Sequence, residues 1–233
     1  MALHHCSQRR AFGKPLIEQP MMRNVLADLA LESEGALALT MRIARALDHR
    51  DDPHEDLLVR LVTAVGKYWI CKRTPNHAYE AMECIGGSGV MEDSPFPRLF
   101  RESPVNAIWE GSGNVQCLDV LRAMQKTPDV VPAFLAELAR ARGANAAFDR
   151  HVDAFQRDYL AAGAQADLEY RARDMVDRMA LAIQAALLIQ HAPAAVSDAF
   201  CATRLGAQGH HQYGALPTGL DLGAVLARAQ PAV

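Results

Sequence analysis

The 233-residue chain is 50% hydrophobic and 22% charged, a balance that fits a soluble globular protein and excludes a disordered or fibrous one. Lys and Arg total 24 against 27 Asp and Glu, a formal net charge of -3, so no overall positive excess points to nucleic acid or an anionic membrane. The five cysteines, Cys6, Cys71, Cys84, Cys117 and Cys201, are odd in number and never paired as CxxC, which argues against a disulfide framework or thiolate zinc site and fits a reducing cytoplasm.

Met1 to Arg10 carries His4, His5, Arg9 and Arg10 with no apolar run behind them, unlike a secretory signal. The most apolar stretch, Met179 to Ile189, contains Gln184 and falls short of the roughly 20 residues of a spanning helix. Aromatic residues are only 6% of the chain and alanine is abundant, which favours close helix packing, so the expected class is all-α.

From Ile17 to Asp48, Met22, Val25, Leu29, Ala36, Leu39, Ile43 and Leu47 recur at helical spacing. The run His49-Arg50-Asp51-Asp52 closes that helix, and Pro53 suits the first turn of the next, which passes Leu57, Leu61, Val65 and Trp69. Thr74-Pro75 reads as a break before a short helix to Ile85, stopped by Gly86-Gly87-Ser88-Gly89. Pro95, Pro97 and Pro104 make residues 90–104 a connector with at most one helical turn, and a helix opens near Ser112 and runs to about Met124. From residue 131 onward there are nine arginines, no lysine and ten acids, with long alanine-rich helical patterns at about 131–160 and 163–191. The last forty residues, with His191-Ala-Pro193, Gly209-His210-His211 and Leu216-Pro217-Thr218-Gly219, read as shorter helices and loops. The expected layout is a helical bundle over 1–127 followed by a helical extension over 128–233.

The segment Ile108-Trp109-Glu110-Gly111-Ser112-Gly113-Asn114 sets a carboxylate just before a Gly-Ser-Gly turn and a helix start. Free N–H groups and a positive dipole end there favour an anion such as phosphate and an ionised carboxylate, so Glu110 reads as a poised base. The simpler reading makes Ser112 an N-cap, Glu110 a favourable charge and Trp109 a core residue. Arg9, Arg10 and Lys14 around Phe12 and Gly13 suit a pyrophosphate and an adenine ring, or a solvated lead-in to a helix. Gly86-Gly87 permits close backbone approach by a ligand, or simply ends a helix. His210-His211 lacks the spacing and acidic companions of a metal site, so no metal is expected. Cys84 and Cys117 read as small core residues, and His77 as a helix-face residue.

In order, Arg9 with Phe12 and Gly13, then Gly86-Gly87, Arg101-Glu102 and Trp109-Glu110-Gly111-Ser112 resemble the carboxy-terminal helical domain of the acyl-CoA dehydrogenase family, over at least residues 5–125. The wording Pro15-Leu-Ile-Glu-Gln-Pro20 and Cys117-Leu-Asp-Val-Leu-Arg122 is most similar to its AidB-like branch, associated with the DNA alkylation response and with an extra carboxy-terminal helical region.

The resemblance implies a four-helix-bundle-like fold, FAD as cofactor, an acyl-CoA substrate and a homo-oligomer arranged as a dimer of dimers. It gives Glu110 the role of the base that takes the α-proton of the thioester. It gives Arg9 and Phe12 contacts to a neighbouring subunit's FAD, and Gly86 and Gly87 the turn against that cofactor's diphosphate. Ser112 and Asn114 correspond to contacts with the chain's own FAD, and Trp109 to a place near flavin and acyl chain. Pro20 and Glu83 stand where many members carry glutamine, although the former is usual for the AidB-like branch. By the same resemblance the chain corresponds to roughly the carboxy-terminal half of a member, without the amino-terminal helical domain, the central β-domain and the preceding bundle helix. Two other readings stand beside the flavoenzyme. One is a duplex-DNA-binding module using arginines such as Arg122, Arg140, Arg142, Arg171 and Arg173; the other is a non-catalytic oligomerising bundle.

Overall fold

The computed structural model describes residues 1–164, 167–206 and 219–230. Helix α1 (Ala2–Gln8) leads into a two-stranded antiparallel hairpin, β1 (Arg10–Ala11) and β2 (Lys14–Pro15), with Arg10 opposite Pro15 and Ala11 opposite Lys14. A 3-10 turn at Leu16–Glu18 precedes α2 (Pro20–Asp48), so the helix starts three residues later than the expected Ile17. Pro20 is the cause: it holds Gln19 extended (φ -74, ψ 128), and its missing N–H is harmless in the first turn.

Asp52 then caps α3 (Pro53–Glu83), its carboxylate accepting from the His54 amide at 2.8 Å. The expected break at Thr74-Pro75 is absent, and α3 runs through Pro75 without interruption. Thr74 Oγ1 donates to the Ile70 carbonyl at 2.7 Å, one turn back. An interior proline costs a helix about 3 kcal/mol, but α3 packs on α2 and on four later helices, and that burial outweighs it.

The stretch expected as a connector forms α4 (Phe96–Glu102), two turns rather than one. Pro97 lies in its first turn, where no N–H is needed. A 3-10 turn at Ser103–Ala107 follows, and after the loop 108–112 comes α5 (Gly113–Lys126).

Two further expectations change. The pattern at 131–160 is split into α6 (Val130–Ala139) and α7 (Ala146–Phe155), because Gly143 turns the chain at φ +81 and Asn145 caps α7 through the amides of Ala147 and Phe148. The pattern at 163–191 becomes helical only from α8 (Ala172–His191); Asp167, with φ +55, belongs to the turns before it. Helix α9 (Ala194–Arg204) and α10 (Leu222–Ala229) complete the described chain, whereas Gly209-His210-His211 and Leu216-Pro217-Thr218 lie outside the described residues.

The class is all-α, built on long helices joined up and down. One hydrophobic core joins α2, α3 and α5 to α8, the most enclosed helix, whose Met175, Val176, Ala180, Ile183 and Ala186 are buried. A helix apolar on several sides is stable only at the centre of a bundle. On α2 the buried face includes Leu31, Leu39, Arg42 and Ala46, while Leu47 of the expected stripe is exposed. Cys84 and Cys117 are buried, as read from their apolar surroundings. Among the described residues no helix is long and apolar enough to cross a membrane.

Candidate active site

The segment between the 3-10 turn and α5 reverses direction over two consecutive left-handed residues, Glu110 (φ +52) and Gly111 (φ +99). Glycine accepts this at little cost, but for glutamate it costs roughly 1–2 kcal/mol, so neighbouring bonds must hold it. They come from two side chains outside the loop. Lys67, on α3, donates from Nζ to the carbonyls of Trp109 at 2.8 Å and Gly111 at 2.5 Å. Gln116, one turn into α5, donates from Nε2 to the carbonyls of Glu110 at 2.9 Å and Gly111 at 3.3 Å. Three successive carbonyls are thereby drawn toward the helices, and the Glu110 side chain is exposed. Trp109 is 59% and Ile108 66% exposed, so Trp109 does not fill the core as the simpler reading held. The two side chains make an apolar surface beside the carboxylate.

Ser112 occupies the N-cap position of α5, but its side chain makes no capping hydrogen bond. The amides of the first turn of a 14-residue helix are therefore not answered by Ser112, which leaves a dipole end suited to an anion. Gly113 sits against α3, where an added Cβ would meet Lys72 at 3.2 Å and the Tyr68 ring at 3.4 Å. Asn114 Oδ1 accepts from Arg173 Nε at 2.9 Å, tying α8 to the start of α5. Behind it, Tyr68 hydrogen-bonds Asp177 of α8; burial raises the Asp177 pKa, only partly offset by that bond. Burial, with Asp177 beside it, also raises the Tyr68 pKa.

A second group of expected residues lies toward the carboxy-terminal end of α3. Phe12 (φ +51) and Gly13 (φ +85) form the hairpin tip, with Phe12 95% exposed and Arg9 exposed just before β1. Arg10 Nη2 closes the tip by donating to the Gly13 carbonyl at 3.0 Å, and Gln19 braces the hairpin through the Ala11 carbonyl at 3.1 Å. The helix leading into the hairpin is anchored on the end of α3, where the Cys6 thiol meets the Cys84 carbonyl at 3.6 Å. There Gly86 (φ +74) ends α3, and nothing lies within 4 Å of a Cβ built on Gly86 or Gly87. From Lys67 to this end, α3 rises about 25 Å at 1.5 Å per residue. Glu110, Trp109, Ser112 and Asn114 therefore form one group, and Arg9, Phe12, Gly86 and Gly87 another.

Arg101 pairs with Glu92 at 2.6 Å and Glu102 with Arg98 at 3.1 Å. Arg122 lies 3.6 Å from Asp119, which also receives Arg60. Arg140 and Arg142 pair with Glu137 and Asp153, while Arg171 donates to the carbonyls of Asp158 and Ala164. Among the described residues no three His, Cys, Asp or Glu side chains gather as a metal cage.

Sequence reading missed Lys67, Gln116 and Arg173. For Lys67 a signal existed: it is the one cation in the run Val62-Thr-Ala-Val-Gly-Lys67-Tyr-Trp-Ile70. Gln116 and Arg173 look like ordinary exposed helix residues.

Residues 1–125 match the family model for the acyl-CoA dehydrogenase C-terminal domain. The chain belongs to the acyl-CoA dehydrogenase family. It is 41% identical over 209 residues to AidB of Escherichia coli (strain K12), an alignment covering 90% of this chain and 38% of that protein. The solved structure of Caenorhabditis elegans ACDH-11 in complex with C11-CoA superimposes with a TM-score of 0.76 at 27% identity, over 89% of this chain and 39% of that one. An acyl-CoA dehydrogenase from Bacillus anthracis complexed with FAD shares the fold, with a TM-score of 0.60 at 15% identity over 88% of this chain and 42% of that one. The chain thus spans about two fifths of the length of these relatives.

Proposed function

We propose that this chain supplies the base and part of the cofactor edge of an FAD-dependent acyl-CoA dehydrogenase acting on the Cα–Cβ bond of an acyl-CoA thioester. The observation that carries the reading is Glu110, an exposed carboxylate held in a left-handed turn by carbonyl bonds from Lys67 and Gln116, beside the exposed rings and methyls of Trp109 and Ile108. Glu110 removes the α-proton of the thioester, a task that needs a carboxylate fixed within hydrogen-bond reach of that carbon. Trp109 and Ile108 offer apolar surface to the acyl chain and limit water around the carboxylate. Bound FAD supplies the acceptor for the hydride leaving the β-carbon.

The residues present fit such a cofactor. The α5 amides not answered by Ser112, together with Asn114 oriented by Arg173, suit a pyrophosphate and the adenosine end. The open face over Gly86 and Gly87 and the exposed Phe12 and Arg9 suit a diphosphate and a ring. The two groups lie along different parts of α3, and by resemblance to the family the second serves the cofactor of another copy, which makes the working form a homo-oligomer. Duplex DNA as partner gains no comparable support, since Arg122, Arg140 and Arg142 lie beside acidic side chains.

The test is Glu110→Gln in the complete flavoprotein subunit, read by flavin absorption and by deuterium entry at the α-carbon of an acyl-CoA in heavy water. Retained flavin with exchange reduced by about 100-fold or more supports the assignment. Undiminished exchange with flavin retained refutes it.

A further inference from the structure

We infer that Lys67 is a positioning residue for Glu110: its ammonium group sets the backbone conformation that presents the carboxylate. This rests on the reading of Glu110 as the base, and it adds a residue from the middle of α3 that lies 43 positions away in the chain.

A peptide unit is planar, so fixing its carbonyl fixes the orientation of the whole plane. Lys67 holds the Trp109 carbonyl at 2.8 Å, which orients the plane entering Glu110. Gln116 holds the Glu110 carbonyl at 2.9 Å, which orients the plane leaving it. With both carbonyls held, Glu110 is confined to its left-handed conformation (φ +52), which sets the direction of its Cα–Cβ bond. Lys67 also takes the Gly111 carbonyl at 2.5 Å, securing the second left-handed residue of the turn.

Three features make Lys67 the dominant partner. Its bonds are charge-assisted, whereas those of Gln116 are neutral. It is rooted in α3, between the buried Val65 and Tyr68, whereas Gln116 belongs to the same local segment as the loop. It also bridges both sides of Glu110 from a single nitrogen, so the loop cannot relax at one residue without losing a bond. A left-handed glutamate persists only where its surroundings over-determine it, and Lys67 provides that constraint.

The experiment compares the 233-residue chain with Lys67→Met, Lys67→Gln and Lys67→Arg. Amide hydrogen exchange over residues 109–112 is measured together with urea unfolding. In Lys67→Met and Lys67→Gln the loop amides exchange faster by about tenfold or more while the unfolding midpoint is held, and Lys67→Arg returns exchange to within about twofold of wild type. Loop exchange unchanged in both neutral variants overturns the proposal. Deuterium entry at the α-carbon of an acyl-CoA, measured for the same variants in the complete flavoprotein subunit, is the second readout. At saturating thioester it falls by about 100-fold in Lys67→Met and recovers in Lys67→Arg, with half-saturation within about twofold of wild type. A loosened loop with unchanged deuterium entry overturns the positioning role and leaves Lys67 a structural tie. Absence of deuterium entry in wild type defeats the assignment of Glu110 as base, and the loop measurement still decides whether Lys67 holds Glu110.

Discussion

Arg42 of α2 donates through Nε to Glu137 of α6 at 2.8 Å, with both side chains buried, and the same guanidinium grips Glu55 of α3 at 2.6 and 3.0 Å. One arginine thereby joins three helices, while Arg140 reaches Glu137 at 3.1 Å and His54 lies 3.9 Å from it. Burial opposes ionisation of Glu137, but the hydrogen bond and charge of Arg42 outweigh it and hold its pKa below the usual glutamate value. Arg42→Met leaves two carboxylates without their main cation, and is expected to cost about 3–5 kcal/mol in urea unfolding. Because the folded pKa of Glu137 is depressed, this stabilisation is complete above the ordinary glutamate pKa and is lost as pH falls below it. The variant should therefore show a flatter acid limb than wild type.

Two histidines give a second pH dependence, nearer neutrality. Burial lowers the pKa of His77, which faces Glu32, Asp28, Arg73 and Arg204, and lowers that of His151, whose Nε2 lies 3.0 Å from the Arg178 carbonyl. An imidazole that protonates less readily folded than unfolded contributes stability above its ordinary pKa and loses it as pH falls below that value. Unfolding free energy should decline from pH 7 toward about pH 5.5, in the range where histidine titrates. His77→Gln and His151→Gln should each make the slope shallower; an unchanged slope in both variants contradicts the assignment.

The glycine turn after α3 separates packing from ligand approach. A Cβ on Gly89 would lie 2.5 Å from the Met82 carbonyl oxygen, which is backbone and cannot move aside cheaply. Gly89→Ala should destabilise the chain by about 1–3 kcal/mol. A Cβ on Gly87 would meet nothing within 4 Å. Gly87→Ala should leave stability within about 0.5 kcal/mol of wild type and, under the cofactor role proposed for this turn, weaken FAD binding in the proposed homo-oligomer. Equal loss of stability in the two variants would contradict this division.

What could be read from the residue order was whatever is decided within a few turns of chain. Alanine-rich periodicity implied an all-α fold, Pro53 marked the start of α3, Gly86 marked its end, and Trp109-Glu110-Gly111-Ser112 stood out as an unusual turn before a helix. Each of these follows from local propensity and backbone sterics.

Local signals misled where packing overrode them. Pro75 looks like a helix end, yet α3 continues through it, held by the packing of the whole helix on α2 and on α4, α5, α6 and α8. Trp109 looks like a core residue, yet it is exposed because its carbonyl, and not its ring, is drawn toward α3. The partners of the candidate site were not legible for a related reason. Lys67 is 44 residues from Gly111, and Arg173 is 59 from Asn114. A hydrogen bond across a bundle depends on how helices are rotated and spaced, which is set by the burial of the whole core. Composition and motif thus determined the all-α class and singled out the turn that carries Glu110; the packed fold determined where helices continue or break and which side chains hold that turn in place.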